Sequence, residues 1–319
     1  MNCGAWLGWQ IDYLLCLQCF RDTSCHIFDK FFICITTFGE IIISILVIST
    51  IYWAISKKAG QFIMFSYIFG FLTNILAKTT ACIYRPWILD ARVKPLAEAI
   101  PAATGYSFPS GHTTGALSTW GGIAISFWKN KVLRYICFAI VICVMISRNY
   151  LGVHTPQDVI VGFILTALVL WGTYKLFEWE KNGKNRDIII VLSVFAITIF
   201  TILYVNLKGY PIDYLFGKIL YEPTQMKVEA IVRSGFIFGA FIGWFIEKRF
   251  IDFKPELGNI YNKIIRVLLG IGILIAIHMT EGFFTNSFGI ILGKALNLFL
   301  TGIYITLIYP YFIKKTSEY

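Results

Sequence analysis

KTTACIYRP (Lys78–Pro86), PSGH (Pro109–His112) and SRNYLGVHTPQD (Ser147–Asp158) are the three stretches on which the reading of this chain turns. They set Lys78, Arg85, His112, Arg148, His154 and Asp158 within a very apolar sequence. Charge in lipid-embedded sequence is costly, so its presence there marks a functional site. Around these stretches the composition is 57% hydrophobic and only 14% charged, with a mean hydropathy of +0.69. The apolar residues come in long runs, which excludes a soluble domain and predicts an all-α polytopic membrane protein.

Nine spans are expected, at about residues 31–55, 61–78, 112–128, 132–147, 157–177, 187–206, 229–246, 264–279 and 288–309. The segments between them alternate in charge. Sixteen basic and seven acidic residues fall on one side, eleven basic and ten acidic on the other, so nearly all of the net charge of +10 lies on one face. The positive-inside rule makes that face cytoplasmic, with the N-terminus outside and the C-terminus inside. The charge is thereby explained by topology, and no nucleic-acid partner is expected.

In this layout Lys78 ends the second span, His112 opens the third, Arg148 ends the fourth and Asp158 opens the fifth, so four antiparallel helices present their outer ends together. Free N–H groups at the Gly111–His112 helix start favour an anion. Arginine supplies flat bidentate donors and lysine a point charge, a combination suited to phosphate. Two histidines add proton exchange near neutral pH.

Lys78-x6-Arg85-Pro86, then Pro109-Ser110-Gly111-His112, then Ser147-Arg148-x5-His154-x3-Asp158 resembles the full three-part signature of the type 2 phosphatidic acid phosphatase superfamily, which includes lipid phosphatases, glucose-6-phosphatase and vanadium haloperoxidases. The resemblance covers residues 30–178 and implies a helical-bundle phosphatase core that works without a metal ion or other cofactor. It implies that His154 attacks phosphorus to form a phosphohistidine, that Asp158 orients its imidazole, and that His112 protonates the leaving oxygen and then activates water. Lys78, Arg85, Ser110, Gly111 and Arg148 would hold the phosphoryl oxygens. The expected organisation is an interfacial segment at 1–30, a phosphatase core at 31–178 and a four-helix transmembrane extension at 187–319. The expected substrate is a membrane lipid phosphate (polyprenyl diphosphate, phosphatidylglycerol phosphate, phosphatidate or a lipid A phosphate), met on the outer face of a bacterial plasma membrane. A sugar phosphatase, a lipid phosphotransferase, and a transporter or scramblase that keeps the signature are the alternatives. Oligomeric state is left open.

Several residues carry plainer readings. Thr155-Pro156-Gln157-Asp158 also reads as a helix cap with an acidic residue at its third position. Lys78 and Arg85 also read as flanking charges of a helix end. Cys16-x2-Cys19 lacks a second pair and reads as apolar contact rather than a zinc site, while one outer disulfide stays open. His26 and His278 read as structural. Glu40, Asn74, Lys294 and Asn297 stand at membrane depth, and Glu40 is expected to pair with Lys294. Gly235-x3-Gly239-x3-Gly243 and Gly289-x3-Gly293 are close-packing ridges that could pack onto the core, make a dimer or wall a lipid-access cleft, with the first as the default. The loop at 207–228 is the candidate substrate-selecting element.

Overall fold

The structure is a computed structural model that describes residues 5–215, 218–219 and 223–317. Its helices are α1 (Ala5–Thr23), α2 (Asp29–Thr36), α3 (Ile41–Ala54), α4 (Lys57–Ala81), α5 (Pro86–Leu89), α6 (Gly111–Ala116), α7 (Gly122–Ser126), α8 (Lys131–Tyr150), α9 (Pro156–Lys181), α10 (Arg186–Leu207), α11 (Thr224–Ile246), α12 (Ile260–Met279), α13 (Glu281–Phe288), α14 (Ile290–Ile303) and α15 (Tyr309–Ser317). Two short strands, Tyr214–Leu215 and Lys218–Ile219, pair antiparallel. Among the described residues seven helical runs are long and apolar enough to cross a membrane, or eight if α2 and α3, bent by 54°, make one broken span. This is an integral membrane protein built of helices.

Two expected spans differ in form. Residues 31–55 do not make one straight helix: α2 ends in a tight turn at Thr37–Gly39, Glu40 is extended, and α3 starts anew at Ile41. The expected span at 112–128 is α6 and α7 joined by a π turn at Leu117–Gly121, too short to be counted among the seven.

The chain divides into two compact units, 1–44 with 65–173 and 209–225, and 45–64 with 174–208 and 226–319. In the first, α6 is pressed against the Thr37–Gly39 turn. A Cβ on Gly39 would come 2.5 Å from the His112 carbonyl oxygen, and one on Gly115 would collide with the Gly39 carbonyl. Trp120 Nε1 donates to Phe38 O at 2.9 Å and Thr119 Oγ1 to Ser44 Oγ at 3.0 Å, so the break in the first span is clamped by side chains of the helix that follows His112. On the other flank Ser118 Oγ donates to Ser66 O at 3.2 Å, beside Gly70. Helix α1 buries Ile11 and Leu14 while Trp9 and Phe20 stay half exposed, as an interface-lying helix requires.

In the second unit the glycine ridge of α11 closes on the last helices of that same unit: Gly235 and Gly239 back onto the carbonyls of Ala295 and Phe299, and Gly243 onto Thr306. Glu247 is fully buried and satisfied by Lys57 Nζ at 2.7 Å, Phe253 N at 2.9 Å and Tyr52 OH at 3.3 Å. Arg266 donates to the carbonyls of Trp53, Pro255 and Leu257. Asn297 caps the carbonyl of Ile277 at 2.7 Å. Lys294 has Glu281 at 3.6 Å, in its own unit, and Glu40 has a different neighbour in the first unit, so the expected pairing of Glu40 with Lys294 gives way to two other pairs. Lys294 and Glu281 lie on the successive helices α14 and α13, and Glu40 is held beside His112 by the packing of the Thr37–Gly39 turn on α6.

Gly115→Ala tests the clamp. Its methyl group must displace the Gly39 backbone, which should cost about 1–3 kcal/mol, read as a lower midpoint of thermal unfolding in detergent; an unchanged midpoint would show that α6 and the turn part freely.

Candidate active site

The ends of α4, α6, α8 and α9 carry the predicted residues into one place within the first unit. Lys78, in the last turn of α4, is buried and donates from Nζ to Tyr106 O at 3.1 Å. Arg85 lies just before α5 and spends its guanidinium on backbone: Nε on Gly105 O at 3.0 Å, Nη2 on Thr104 O at 2.7 Å and Nη1 on Val153 O at 2.9 Å. The same Nη1 is 2.9 Å from His154 Nε2. A guanidinium only donates, so Nε2 of His154 accepts and carries a lone pair.

The other ring nitrogen must then hold the proton. Nδ1 faces Asp158 Oδ2 at 3.3 Å and Ser107 Oγ at 3.4 Å. Asp158 is fixed in turn: Oδ2 accepts from Ser107 Oγ at 2.5 Å and from Thr155 N at 2.8 Å, while Asp158 N reaches Thr155 Oγ1 at 3.4 Å. The last two contacts form the capping box that the sequence suggested. Capping and imidazole orientation are thus one carboxylate's work, because the cap points Oδ2 back toward the turn where His154 sits. That turn is set by Gly152 at φ +71°, by His154 N donating to Arg148 O, and by Asn149 Nδ2 donating to His154 O at 2.9 Å.

Ser110 caps α6, accepting from Thr113 N at 3.3 Å, and its own N–H donates to Asp158 O at 2.9 Å. This joins the second stretch to the third and sets Gly111 and His112 at the site. His112 Nε2 lies 3.8 Å from Glu40 Oε1. Arg148 is fully buried; Nη1 donates to Thr36 Oγ1 at 2.8 Å, and Nε and Nη2 have no hydrogen-bond partner among the described residues. Two unsatisfied buried guanidinium N–H groups call for an anion.

The imidazole of His154 is held well below its ordinary value of 6.5, first by burial and then by the positive charges of Arg85, Arg148, Lys78 and His112. The site is therefore rich in cations, with a neutral histidine at its centre. Its chemistry suits an anion with several oxygens approached by a ring nitrogen.

Ser107, Thr36, Asn149 and Glu40 belong to this arrangement and were not read as site residues from sequence. Ser107 stands two positions before the PSGH stretch; Thr36 arrives from the broken first span with no sequence signal, and Glu40, from the same break, carries only that of a charge at membrane depth. Asn74 supports the same region by donating to Pro109 O at 3.3 Å and Thr114 Oγ1 at 3.1 Å. His26 pairs with Asp29 at 2.8 Å, and His278 has Glu281 at 3.9 Å. The seven cysteines among the described residues form no disulfide with one another, and those residues hold no cluster of three His, Cys, Asp or Glu side chains able to bind a metal. Cys3 lies outside the described residues. Of the 207–228 loop, residues 216–217 and 220–222 also lie outside them; nearer its start, Asp213 accepts from Tyr84 OH at 2.8 Å and Tyr210 stacks on Tyr106.

Helix ends here gather buried cations around a histidine that faces a carboxylate. The chain belongs to the PAP2 superfamily: that family's model matches residues 60–182, and the model of the PAP2 superfamily phosphatase transmembrane extension matches residues 231–317. It is similar to an undecaprenyl-diphosphatase of Sulfolobus acidocaldarius (26% identical, 42% of this chain and 61% of the relative). It is also similar to phosphatidylglycerophosphatase B of Bacillus subtilis (34%, 33% of this chain and 54% of the relative) and to the mouse glucose-6-phosphatase catalytic subunit 1 (24%, 59% and 58%). The chain thus spans little more than half the length of these relatives. No solved structure matches it.

The protonation of His154 is directly measurable. Because its folded value is lowered, the neutral ring's contribution to stability is complete above about pH 6.5 and is lost as pH falls from there toward the folded value. In nitrogen-15 histidine spectra the His154 ring should remain neutral at pH 6.5; a midpoint at or above that value would contradict the burial argument.

Proposed function

We propose that this chain is a membrane phosphatase that hydrolyses a phosphomonoester or diphosphate through a phosphohistidine at His154. The observation that carries the reading is the imidazole of His154, with a lone pair at Nε2 under Arg85 and its Nδ1 proton toward Asp158. That tautomer is the one a nucleophile needs.

Lys78, Arg85, Arg148, Ser110 and the Gly111 N–H bind the phosphoryl oxygens. Nε2 of His154 attacks phosphorus as the bond to the leaving oxygen breaks, and His112 gives that oxygen a proton. Water then attacks the phosphohistidine, the P–N bond breaks, and His112 takes a proton from the water, which restores both histidines. Asp158 keeps the Nδ1 proton in place and favours the charged ring that forms. Three cations neutralise the transferring group where other phosphatases use metal ions, so the mechanism needs none. Each donor aimed at the transition state contributes about 2.7–4 kcal/mol.

The substrate we favour is a lipid phosphate, met on the non-cytoplasmic face of a bacterial plasma membrane, with the chain's N-terminus outside and C-terminus inside. Lipid names among the relatives, the excess of basic residues expected on the opposite face and the apolar helices around the site support this. We take residues 31–178 as the phosphatase core and 187–319 as its transmembrane extension. A sugar phosphate is the second reading, because the match to mouse glucose-6-phosphatase runs over more of this chain than those to the lipid phosphatases above.

The test is phosphate release by the purified chain in chelator from polyprenyl diphosphate, phosphatidylglycerol phosphate, phosphatidate and glucose 6-phosphate. Lipid phosphates should turn over, and His154→Ala should lower kcat by at least about a thousandfold. Turnover that requires added metal or persists in His154→Ala would refute the mechanism, whereas preference for glucose 6-phosphate would select the second reading.

A further inference from the structure

Glu40 lies outside all three stretches, at the break between α2 and α3, with Oε1 3.8 Å from His112 Nε2. Its backbone is held on both sides: Glu40 N donates to Thr37 O at 2.9 Å, and Glu40 O accepts from Ser44 N at 3.1 Å and Ser44 Oγ at 3.0 Å. The preceding Gly39 rests on the carbonyl of His112 itself, with no room for a side chain. The residue that carries the imidazole is thus packed directly on the turn that carries the carboxylate, so their separation is fixed by backbone contact and not by two flexible side chains alone.

The charges around this pair make it consequential. Lys78 from α4, Arg85 from the segment before α5 and Arg148 from α8 act on the same small volume, and Arg148 acts on Glu40 as well. Asp158, from α9, is already bound to Ser107 and Thr155 and faces His154. Surrounding cations drive a proton off an imidazole, yet the departing oxygen needs a proton from His112. A carboxylate beside a phosphate site would also repel the substrate unless a cation shared its charge. Protonated His112 meets both requirements.

We propose that Glu40 is the positioning residue that keeps His112 protonated and directed at the leaving oxygen during the first step. This rests on the phosphohistidine reading. Glu40 makes no bond to substrate; it acts through His112, which delivers its proton to the leaving oxygen and regains one from water in the second step. The break in the first span is then part of the site, since a continuous helix through Gly39 would not present this carboxylate.

The role separates substrates by their leaving groups. An aryl phosphate expels a phenolate that needs little protonation, while an alkyl phosphate expels an alkoxide that needs it fully. In Glu40→Gln, kcat/KM for the alkyl phosphate should fall about tenfold or more and that for the aryl phosphate by less than about threefold. The basic limb of the alkyl profile should move about one pH unit lower, because His112 loses the charge that favours its protonated form. Glu40→Asp should recover part of both effects. Retained aryl turnover reports that the variants are folded. Equal losses on both substrates, or a basic limb that does not move, would overturn the role of Glu40. Failure of the underlying reading looks different: His154→Ala would then keep its turnover in the same assay, whatever Glu40→Gln does.

Discussion

Lys78, Arg85 and Arg148 are buried in an apolar helical protein, and what satisfies them is mostly backbone oxygen. Arg85 alone binds the carbonyls of Thr104, Gly105 and Val153, and Lys78 binds that of Tyr106. These bonds order the segment that joins α4 to α6, because it can fold over the cations only by turning its carbonyls toward them. Ser107, at the end of that segment, is thereby delivered to Asp158. Backbone oxygens satisfy hydrogen bonds without cancelling charge, and Arg148 keeps two donor atoms with no partner among the described residues. Burying charge without compensation costs several kcal/mol per ion, a cost that an anion bound there would offset.

The same constraint explains the central histidine. Burial beside Arg85 keeps its ring neutral, and the guanidinium fixes which nitrogen bears the lone pair. Asp158 supplies the opposite pull on Nδ1 while capping α9, so the helix start and the ring orientation cannot vary independently. Glu40 and His112 repeat the arrangement at longer range across the clamped turn at Gly39. The second unit handles its buried charge differently: Glu247 is bound by Lys57, Tyr52 and Phe253 N, and Arg266 by three carbonyls, which is a structural solution with no donors aimed at a ligand.

Much of this was legible in the chain. Apolar runs and their flanking charges predict the membrane helices, and the spacing within the three stretches singles out eight residues, which lie at the ends of α4, α6, α8 and α9 and just before α5. The capping reading of Asp158 and its place beside His154 were both legible, and the geometry reconciles them. What could not be read depends on contacts distant in sequence. Thr36 meets Arg148 across 112 positions, and no local pattern encodes that. Glu40 looked like a membrane-depth charge seeking Lys294, because hydropathy carried the first span straight through Gly39. The break follows from tertiary packing: only against α6 does the absence of a side chain at Gly39 and Gly115 acquire its meaning.

The central claim is that His154 Nε2 takes the phosphoryl group. The most direct measurement is rapid mixing of the purified chain with a phosphorus-32-labelled phosphate ester, alkaline quench and peptide mass mapping. The account predicts an acid-labile, base-stable label on the peptide containing His154, which appears before phosphate is released and is lost in His154→Ala. Turnover with no such label, or a label on another residue, would contradict it.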